Sequence, residues 1–550
     1  MKRHFLPLLL ILVVAVSARA LLLASDAVTF HSDEAIVGLM ARHILAGQRP
    51  VFFYGQAYMG SLDAWLTAAA FQIFGETVLA LRLTQSALYL LLVVSGYAVA
   101  WRFSGKLPIA VMTGLLLALP VPLLALYTTA SLGGYGEMLL CGQLALLLGE
   151  RILRAERPSP RSGGLLGLVV GVGWWSNGLI IAYALPIALA LAQRFLWRER
   201  QNLRAHLALM AIGLWGFFVG SAAWWDYNLR HDWAALAFYV PGLAGAEDDH
   251  VQYMPGWRAE PVANEALPRT EIGGRLLGLL LFGFPALIGL RFPWSSDYFL
   301  PALGLPLAAL FCVALYSVAR DRDERLLNRH GRFLTLAMIG GLCLIFVLSQ
   351  FGNDPTGRYL LPLALPCALV TAAGIERLRA LRPNTALLAV VVALLPLAYQ
   401  TAGQIGAVQS AQGLTTQFDA LTDLPNTYDS QLIAFLQEND LTRGYTQYWV
   451  AYRLIFLSDE TLLYDPALPY KPTLVHRLGD NRYPAYAAAV AASARFAYIT
   501  ANQPGIDTLL RETCAARGIQ FQSARIGPYT VYYDFEPAAP RPPIYADGQN

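Results

Sequence analysis

Charged side chains are scarce in this chain. Asp, Glu, Lys and Arg make up 14% of its 550 residues, whereas hydrophobic residues make up 56%. A soluble domain usually carries about 25% charged residues. The mean hydropathy of +0.45 agrees with that contrast and predicts a polytopic membrane protein. The net charge of +3 leaves no basic surplus, so no nucleic-acid partner is expected.

Cysteines are few, and the signatures of common soluble enzymes are missing. The five cysteines show no Cys-x-x-Cys or mixed Cys/His spacing, which argues against a disulfide framework and against a zinc site. The sequence contains no Gly-x-Ser-x-Gly, phosphate-binding glycine loop, His-Glu-x-x-His or dinucleotide fingerprint. The sequence therefore gives no indication of a serine hydrolase, of a nucleotide-dependent enzyme or of a metalloprotease.

Long apolar runs take the place of these features. A spanning helix needs about 20 mostly apolar residues. The run after Lys2 and Arg3 continues to Ala24, which favours an uncleaved first span over a secretory signal. We predict an α-helical membrane protein with about eleven spans, near residues 5–24, 79–101, 107–127, 135–149, 163–176, 178–193, 206–225, 299–318, 333–350, 359–375 and 385–401.

The basic residues predict the orientation. Arg and Lys concentrate in cytoplasmic loops, and here they concentrate in loops 151–161, 194–204, 320–332 and 377–382. The N-terminus is then cytoplasmic, the C-terminus lies outside, and the protein is a multi-pass protein of a plasma membrane. Residues 273–290 are apolar enough to cross, but a crossing there would move loop 320–332 outside. We therefore predict a re-entrant or interfacial segment at 273–290.

The sequence divides into a membrane module and a polar C-terminal region. Residues 1–401 form the module, with outer loops 25–78 and 226–298, and two amphipathic helices in the first loop are expected to lie along the interface. Residues 402–536 are more polar and predict an extracytoplasmic α/β domain, with a helix at 430–439 and strands at 444–456, 495–500 and 526–535. Residues 537–550 are Pro-rich and predict a loose tail.

An acidic pair follows the first span, in the stretch from His31 to Glu34. Carboxylates near a bilayer cost free energy, so Asp33 and Glu34 are candidates for a general base or a metal ligand. The structural alternative is an N-cap, with Ser32 or Asp33 opening a helix and Glu34 in its first turn. His31 either assists proton transfer or phosphate binding, or is incidental.

Further candidates lie at other outer ends of spans. Arg358 and Tyr359 follow a turn-rich loop, where an Arg either binds a phosphate or anchors at the interface. Arg82 begins the second span and either neutralises a phosphate or forms a salt bridge, and Glu137 is either a second carboxylate of the site or a rim acid. Substrate-cleft candidates are Tyr54, Gln56, Tyr58 and Asn177.

No cofactor is assigned with certainty. The acidic stretch at 247–250 has oxygen ligands suited to a divalent cation, but a solvated acidic loop is the favoured explanation. A divalent cation therefore stays open, and the metal, if there is one, is not named by the sequence.

With these residues in place, the chain resembles the GT-C membrane glycosyltransferases, in particular the dolichyl-phosphate-mannose-protein mannosyltransferase-like glycosyltransferase family 39. The resemblance covers the span pattern to about residue 400. It rests on Asp33-Glu34 in the first outer loop, the two interface helices, Phe74-Gly75 followed by Arg82 at the second span, and Arg358-Tyr359 followed by Leu360-Leu361-Pro362.

The resemblance implies a GT-C fold, a polyprenyl-phosphate-linked sugar as donor, and an inverting transfer. It carries the catalytic carboxylate to Asp33, with Glu34 adjacent, and phosphate contacts to Arg358 and Tyr359. Glu137 matches the place of a second carboxylate, where Asp is commoner. The C-terminal region is not similar to the sugar-binding β-trefoil of eukaryotic mannosyltransferases, which puts a protein acceptor in doubt. Whether the acceptor is a glycan, a lipid or a protein stays open.

Two other classes of function compete with a transferase. A transporter or flippase of lipid-linked saccharides would also place carboxylates and Arg in a cleft, but such proteins often show duplicated halves, and none is evident here. A non-catalytic membrane scaffold with an outer α/β domain is the second alternative. Substitution of Asp33 separates the enzyme from the scaffold, since it would abolish transfer by the enzyme and leave the function of the scaffold intact.

Overall fold

The computed structural model describes residues 2–198, 203–237, 272–381, 386–417, 421–470 and 478–542. Its elements divide into two compact units. The first, which we call the membrane unit, comprises Met1–Val28, Leu81–Tyr227 and Leu267–Thr416. The second, the sheet unit, comprises Thr29–Ala80, Asn228–Ala266 and Gln417–Asn550.

Helices dominate the described residues. The α-helices, in chain order, are α1 Lys2–Ala24, α2 Ser32–Leu45, α3 Leu62–Phe74, α4 Val78–Ser104, α5 Leu107–Ala118, α6 Pro122–Tyr127, α7 Tyr135–Arg154, α8 Pro160–Ser176, α9 Ile181–Ala192, α10 Leu203–Gly220, α11 Ala222–Arg230, α12 Ala234–Ala237, α13 Ile272–Gly278, α14 Phe284–Leu287, α15 Pro301–Arg320, α16 Arg329–Leu348, α17 Ala364–Leu381, α18 Ala386–Gln409, α19 Asp429–Glu438, α20 Tyr448–Leu457, α21 Pro484–Ala492 and α22 Pro504–Ala516. Short 3₁₀ or π segments occur at Gly178–Ile180, Gln193–Arg198, Leu279–Gly283, Gln350–Asn353, Arg358–Leu363, Asn426–Tyr428 and Leu478–Asp480.

The membrane unit is an α-helical bundle, as predicted. Within the described ranges, 7 helices are long and apolar enough to cross a membrane, and the bent pair α10 and α11 raises the number to 8. Predicted spans 107–127, 135–149 and 163–176 coincide with helices that miss this standard. The first is broken into α5 and α6, α7 carries several charges, and α8 has 17 residues. The count of eleven spans stays a prediction.

The apolar stretch predicted to be re-entrant forms one of the shorter apolar helices, Ile272–Leu287. It contains α13, a π segment and α14. This helix is shorter than the candidate spans, and nothing in its length shows whether it is re-entrant. The re-entrant or interfacial segment at 273–290 therefore stays a prediction.

The membrane orientation has a direct test. Alkaline phosphatase is active only outside the cytoplasm, so we expect activity when it is fused after Thr416 and none when it is fused after Arg325. A green fluorescent protein fusion at the same sites should give the opposite pattern. A reversal of both patterns would show that Ile272–Leu287 crosses the membrane and that the charge argument for loop 320–332 is wrong.

Two helices of the membrane unit pack backbone against backbone. A Cβ placed on Gly167 of α8 would lie 1.8 Å from the carbonyl oxygen of Gly213 in α10, and one on Gly171 would lie 2.3 Å from that of Phe217. Small residues allow this close approach, which gains dispersion contacts where lipid offers no hydrophobic driving force. The glycines in the α8 sequence are therefore required by packing.

Gly167→Ala is expected to lower the stability of the purified protein by about 1–3 kcal/mol, because the added methyl group must displace the backbone of α10. Gly340→Ala is the matched control, since a Cβ at Gly340 of α16 meets no described atom within 4 Å. Thermal unfolding in detergent measures both variants. Equal midpoints for the two would contradict the close packing of α8 on α10.

The sheet unit contains an α/β sandwich, which confirms the predicted fold class of the C-terminal region. Its strands are β1 Arg443–Gln447, β2 Leu463–Leu468, β3 Ala497–Ala501, β4 Gln520–Ile526 and β5 Tyr529–Glu536. Their order in the sheet is β2-β1-β3-β5-β4. Strands β1, β2 and β3 are parallel, and β5 runs antiparallel to both β3 and β4.

One predicted strand is wrong beyond its first residues. The strand predicted at 444–456 ends at Gln447, and Tyr448–Leu457 is α20. The sequence of α20 is apolar at nearly every position because eight of its residues are buried: Tyr448, Val450, Ala451, Tyr452, Arg453, Leu454, Ile455 and Phe456. A short run of this kind does not distinguish a buried strand from a buried helix by its periodicity.

Residues 29–78, most of the first loop that is predicted to lie outside, are part of the sheet unit. Asn426 accepts a hydrogen bond from the backbone N–H of Phe30 (2.8 Å) and donates one to its carbonyl (2.8 Å). Arg42 of α2 donates to the carbonyl oxygen of Phe456 (3.1 Å) and to Asp459 (2.6 Å). Helix α2 is accordingly buried over most of its length, whereas α3 keeps Ile73 and Phe74 exposed. A position of either helix along a membrane interface stays a prediction.

The first residues after β5 are held on the sheet. Arg541 donates to the Tyr445 hydroxyl (3.0 Å) and to the carbonyl of Ala491 (2.9 Å), and Tyr498 donates to the carbonyl of Pro540. Pro540 and Arg541 of the predicted loose tail are therefore hydrogen-bonded to the sheet unit, and residues 543–550 lie outside the described residues.

Candidate functional site

The acidic pair lies in the first turn of α2, and the structure identifies His31 as the N-cap. His31 has an extended backbone, and its Nδ1 accepts a hydrogen bond from the Asp33 N–H (3.2 Å). The prediction that Ser32 or Asp33 caps the helix is therefore wrong. Ser32 instead donates its hydroxyl to the carbonyl of Tyr448. With the cap supplied by His31, the Asp33 carboxylate is not used for capping.

Asp33 belongs to a cluster with two residues of the C-terminal region. The Tyr448 hydroxyl donates to Oδ1 of Asp33. The Arg482 guanidinium lies over the Tyr448 ring, 5.3 Å from its centroid. We call Asp33, Tyr448 and Arg482 the Asp33 cluster.

Electrostatics fixes the proton donor within the cluster. Burial raises the pKa of Tyr448, and the Asp33 carboxylate raises it further. The phenol therefore stays protonated and donates. Burial alone would lower the pKa of Arg482, but Tyr448, Asp33 and Asp480 raise it above its usual value. The guanidinium therefore stays charged.

The two acidic residues differ in accessibility. Asp33 is partly exposed, whereas Glu34 is fully buried in the same helical turn. Of the pair, Asp33 is therefore the carboxylate that solvent reaches. Glu34 lies where its charge is favoured by the N-terminal end of the α2 dipole.

Tyrosine 452 holds the segment that carries Arg482. The Tyr452 hydroxyl accepts hydrogen bonds from the backbone N–H groups of Arg482 and Tyr483. It donates one to the carbonyl of Asp480 (3.1 Å). Since Tyr448 and Tyr452 are one turn apart on α20, a single helix places both the donor to Asp33 and the anchor of Arg482. Helix α20 begins directly after β1, at the carboxyl end of a parallel strand, where ligands of open α/β sheets usually bind.

The cleft candidates Tyr54, Gln56 and Tyr58 lie in the loop that follows α2, and all three are half-buried. The Tyr54 hydroxyl donates to Gln48 (3.0 Å), and its ring stacks on that of Tyr483 at 4.9 Å. Arg482 donates to the carbonyl of Gly55 at 3.4 Å. A Cβ at Gly55 would lie 2.9 Å from Arg482 Cδ, so this close contact requires glycine. The structure thus brings the Tyr54 loop to the Asp33 cluster.

The second group of candidates lies in the membrane unit around Arg358. Arg358 begins a 3₁₀ segment directly after Gly357, and its Nε lies 2.7 Å from Asp354 Oδ2. Its Nη2 donates to the Tyr359 hydroxyl (3.1 Å). The hydroxyls of Tyr127 and Tyr135 are electrostatic neighbours of the guanidinium. A cation among one carboxylate and three phenols suits an oxyanion whose oxygens accept several hydrogen bonds.

Glu137 lies near this group along the chain. It is buried in the first turn of α7, two residues after Tyr135, and accepts a hydrogen bond from Gln85 at 3.3 Å. Asn177 accepts from the N–H of Leu179 (3.1 Å) and caps the 3₁₀ turn that follows. Arg82 is buried and donates to the carbonyl of Val28 (2.9 Å).

An apolar cavity of about 260 Å³ lies between α5, α15, α17 and α18. Val121 and Leu124 line it, and Tyr127, which neighbours Arg358, follows one turn later on α6. At another part of its lining are Arg377 and Leu381 near the end of α17. Apart from a few polar residues, its lining is aliphatic, which suits a hydrocarbon chain.

The sequence motifs predicted the candidate site residues but not the side chains that contact them. Tyr448 and Arg482 were missed in the sheet unit, and Asp354, Tyr127 and Tyr135 in the membrane unit. The sequence feature that could have indicated Tyr448 is its position directly after a strand.

The acidic stretch at 247–250 lies outside the described residues. The described part of the chain contains no group of three or more His, Cys, Asp or Glu that could hold a metal ion.

Comparisons with known proteins identify the fold. No protein-family model and no curated protein sequence matches the chain. The crystal structure of ArnT from Cupriavidus metallidurans bound to undecaprenyl phosphate matches with a TM-score of 0.61 and 15% identity, over 95% of this chain and 97% of that one. The apo state of ArnT gives 0.60 and 14%, with the same coverage. An Archaeoglobus fulgidus oligosaccharyltransferase tethered with an acceptor peptide gives 0.52 and 14%, over 97% of this chain and 74% of that one.

The chain has the GT-C fold. This confirms the GT-C part of the resemblance found in the sequence. None of these structures is named as a member of glycosyltransferase family 39, so that narrower assignment stays a prediction.

The N-cap role of His31 is tested by two substitutions. His31→Ala removes the acceptor for the Asp33 N–H and is expected to cost about 1 kcal/mol of stability, whereas His31→Asn keeps a good cap and costs much less. Chemical unfolding of the purified protein, followed by the fluorescence of its tryptophans, measures the difference. If the two variants were destabilised equally, the ring packing of His31 on Trp449 rather than its cap would account for the loss.

Proposed function

We propose that the protein is an inverting glycosyltransferase of the plasma membrane. It moves a sugar from a polyprenyl-phosphate-linked donor to an acceptor hydroxyl at the outer face. The observation that carries the proposal is the GT-C fold along 95% of the chain, with a partly exposed carboxylate, Asp33, opening the first helix after the first apolar helix. One of the matching structures holds undecaprenyl phosphate, and another is tethered with an acceptor peptide.

The proposed role of Asp33 is that of the general base. It accepts the proton of the acceptor hydroxyl while the oxygen attacks the anomeric carbon of the sugar from the face opposite the departing phosphate, which inverts the configuration. Tyr448 orients Asp33 through its hydrogen bond, and Arg482 lies over the Tyr448 ring. Glu34 supports the turn that carries Asp33, and His31 fixes the start of that turn.

The proposed role of Arg358 is to bind the donor phosphate. Negative charge develops on the phosphate as the bond to the sugar breaks, and an Arg with several phenolic donors around it stabilises that charge. Tyr359 supplies one of those donors, and Tyr127 and Tyr135 supply others. Arg82 and Glu137 are proposed as further charged residues of the donor side, and Asn177 stays a candidate for the cleft.

The apolar cavity supports a lipid-linked donor. A polyprenyl chain needs an aliphatic lining of substantial length, and the cavity between α5, α15, α17 and α18 provides one. Its wall at Val121 and Leu124 is joined to the Arg358 group through α6, since Tyr127 ends that helix. A sugar carried on a lipid phosphate has a good leaving group, so the absence of a nucleotide motif in the sequence is consistent with this donor.

The donor prediction is tested by the lipids that co-purify with the protein. Wild-type protein in detergent is expected to retain a polyprenyl phosphate or its glycosylated form, and Arg358→Ala is expected to lose most of it, because the phosphate loses its charged partner. Arg322→Ala, an exposed arginine outside the Arg358 group, is the control. Mass spectrometry of the extracted lipids gives the answer and identifies the sugar. Bulk phospholipid alone in all three samples would contradict the donor assignment.

The catalytic prediction concerns Asp33 and its hydrogen-bond donor. Asp33→Asn is expected to lower transfer by roughly 10²–10⁴-fold, the usual contribution of a general base. Tyr448→Phe is expected to lower it less, because Asp33 loses the hydrogen bond that orients its carboxylate. Transfer of the co-purified sugar to an envelope extract measures both.

Asp440→Asn is the matched control, since Asp440 is an exposed aspartate of the same unit (84% of its side chain). It should transfer sugar at the wild-type rate. Wild-type transfer by Asp33→Asn would show that Asp33 is not the general base, whereas no transfer by the wild-type protein itself would favour a transporter or a scaffold. An unchanged transfer rate for Tyr448→Phe would leave the enzyme in place but remove Tyr448 from its machinery.

A further inference from the structure

A second cavity of the membrane unit has a different character from the apolar one. It has a volume of about 470 Å³ and lies between the C-terminal end of α9 and the N-terminal half of α16. Its lining residues are Ala190, Gln193, Arg194, Arg329, His330, Arg332, Phe333, Leu336 and Ala337. Both helix ends adjoin loops that the basic residues predict to be cytoplasmic.

The polar part of this cavity is cationic. Three of its lining residues are arginines and one is a histidine, and the described lining contains no Asp or Glu. Arg194 already donates to the carbonyls of Ile152 and Ala155 at the end of α7 (2.5 and 2.6 Å). Arg329 and Arg332 lie in the first turn of α16, whose N-terminal backbone also favours an anion.

Arg332 is the residue that points most directly to a ligand. Its Nη1 is buried and has no hydrogen-bond partner among the described residues. A buried cationic donor without an acceptor costs free energy, and an oxyanion that entered the cavity would remove that cost. Of the oxyanions available at a membrane surface, a phosphate accepts hydrogen bonds from paired arginines with good geometry.

The remaining lining is apolar and continues along α16. Phe333, Leu336 and Ala337 follow Arg332 on the helix, and Ala190 faces them from α9. A cavity with cations at one end and hydrocarbon at the other matches a molecule that carries a phosphate on an acyl chain. A free phosphate would leave this apolar surface uncovered.

We propose that this cavity binds the phosphate head group of an anionic phospholipid, with Arg329 and Arg332 as its ligands and the Phe333–Ala337 surface against an acyl chain. The site is separate from the donor cavity in its lining, because the two cavities share no residue. It is a lipid site of the predicted cytoplasmic leaflet, where anionic lipids carry the surface charge. The proposal does not depend on the proposed transferase activity.

The test uses the full-length protein in a neutral detergent and native mass spectrometry. Phosphatidylglycerol, phosphatidylcholine and inorganic phosphate are added in separate samples. Wild-type protein should retain phosphatidylglycerol in preference to phosphatidylcholine. Arg329→Gln and Arg332→Gln should each weaken that binding about fivefold, the effect expected for one arginine at an anionic membrane surface.

Arg325→Gln is the matched control, because it removes the same charge from the same loop at a residue that is 79% exposed and outside the cavity lining. Its phosphatidylglycerol binding should equal that of the wild type. Ala337→Phe fills the apolar end without changing charge and should also reduce the lipid signal, so the test does not depend on the arginine variants folding well.

Three results would overturn the proposal. An equal loss in Arg325→Gln would mean general attraction to a basic loop. Equal retention of phosphatidylcholine would show that charge does not select the lipid. Displacement of phosphatidylglycerol by inorganic phosphate, together with unchanged binding in Ala337→Phe, would identify a soluble anion as the ligand instead.

Discussion

The contact between the first turn of α2 and the first turn of α20 is the constraint on which the chemistry of the sheet unit depends. Ser32 donates to the backbone of Tyr448, and the Tyr448 hydroxyl donates back to Asp33. Because the Asp33 carboxylate accepts a hydrogen bond from Tyr448, α20 fixes its orientation. The same helix holds the segment of Arg482 through Tyr452, so α20 determines both the orientation of Asp33 and the position of Arg482.

In the Arg358 group of the membrane unit, the charged side chain is a cation and its partners are acceptors. A guanidinium at the start of a span requires acceptors, and Asp354 together with the Tyr359 hydroxyl provides them. These two contacts hold the guanidinium in place.

Whether a feature of the fold or of the candidate site could be predicted depends on how far apart its residues lie along the chain. The apolar runs, the polar C-terminal region and the place of Asp33 after the first span are local features, and the sequence predicted them. The partner of Asp33 was not predictable, because Tyr448 is 415 residues away along the chain and no local pattern encodes that contact. The strand predicted through α20 failed for a related reason: full burial by tertiary packing erased the periodicity that distinguishes the two secondary structures. The N-cap is His31, whereas the sequence predicted Ser32 or Asp33. Even in a short motif, the backbone angles decide which residue is the cap.

The separation between Asp33 and Tyr448 also has a consequence for biosynthesis. Ribosomes make about 5–20 residues per second, so the segment that completes the surroundings of α2 emerges tens of seconds after α2 itself. During that interval the buried face of α2 has no partner from α20, and its carboxylate lacks the Tyr448 hydroxyl. An interrupted chain that already contains every apolar span would therefore lack the groups that hold Asp33. The order of synthesis thus delays assembly of the Asp33 cluster until the molecule is nearly complete.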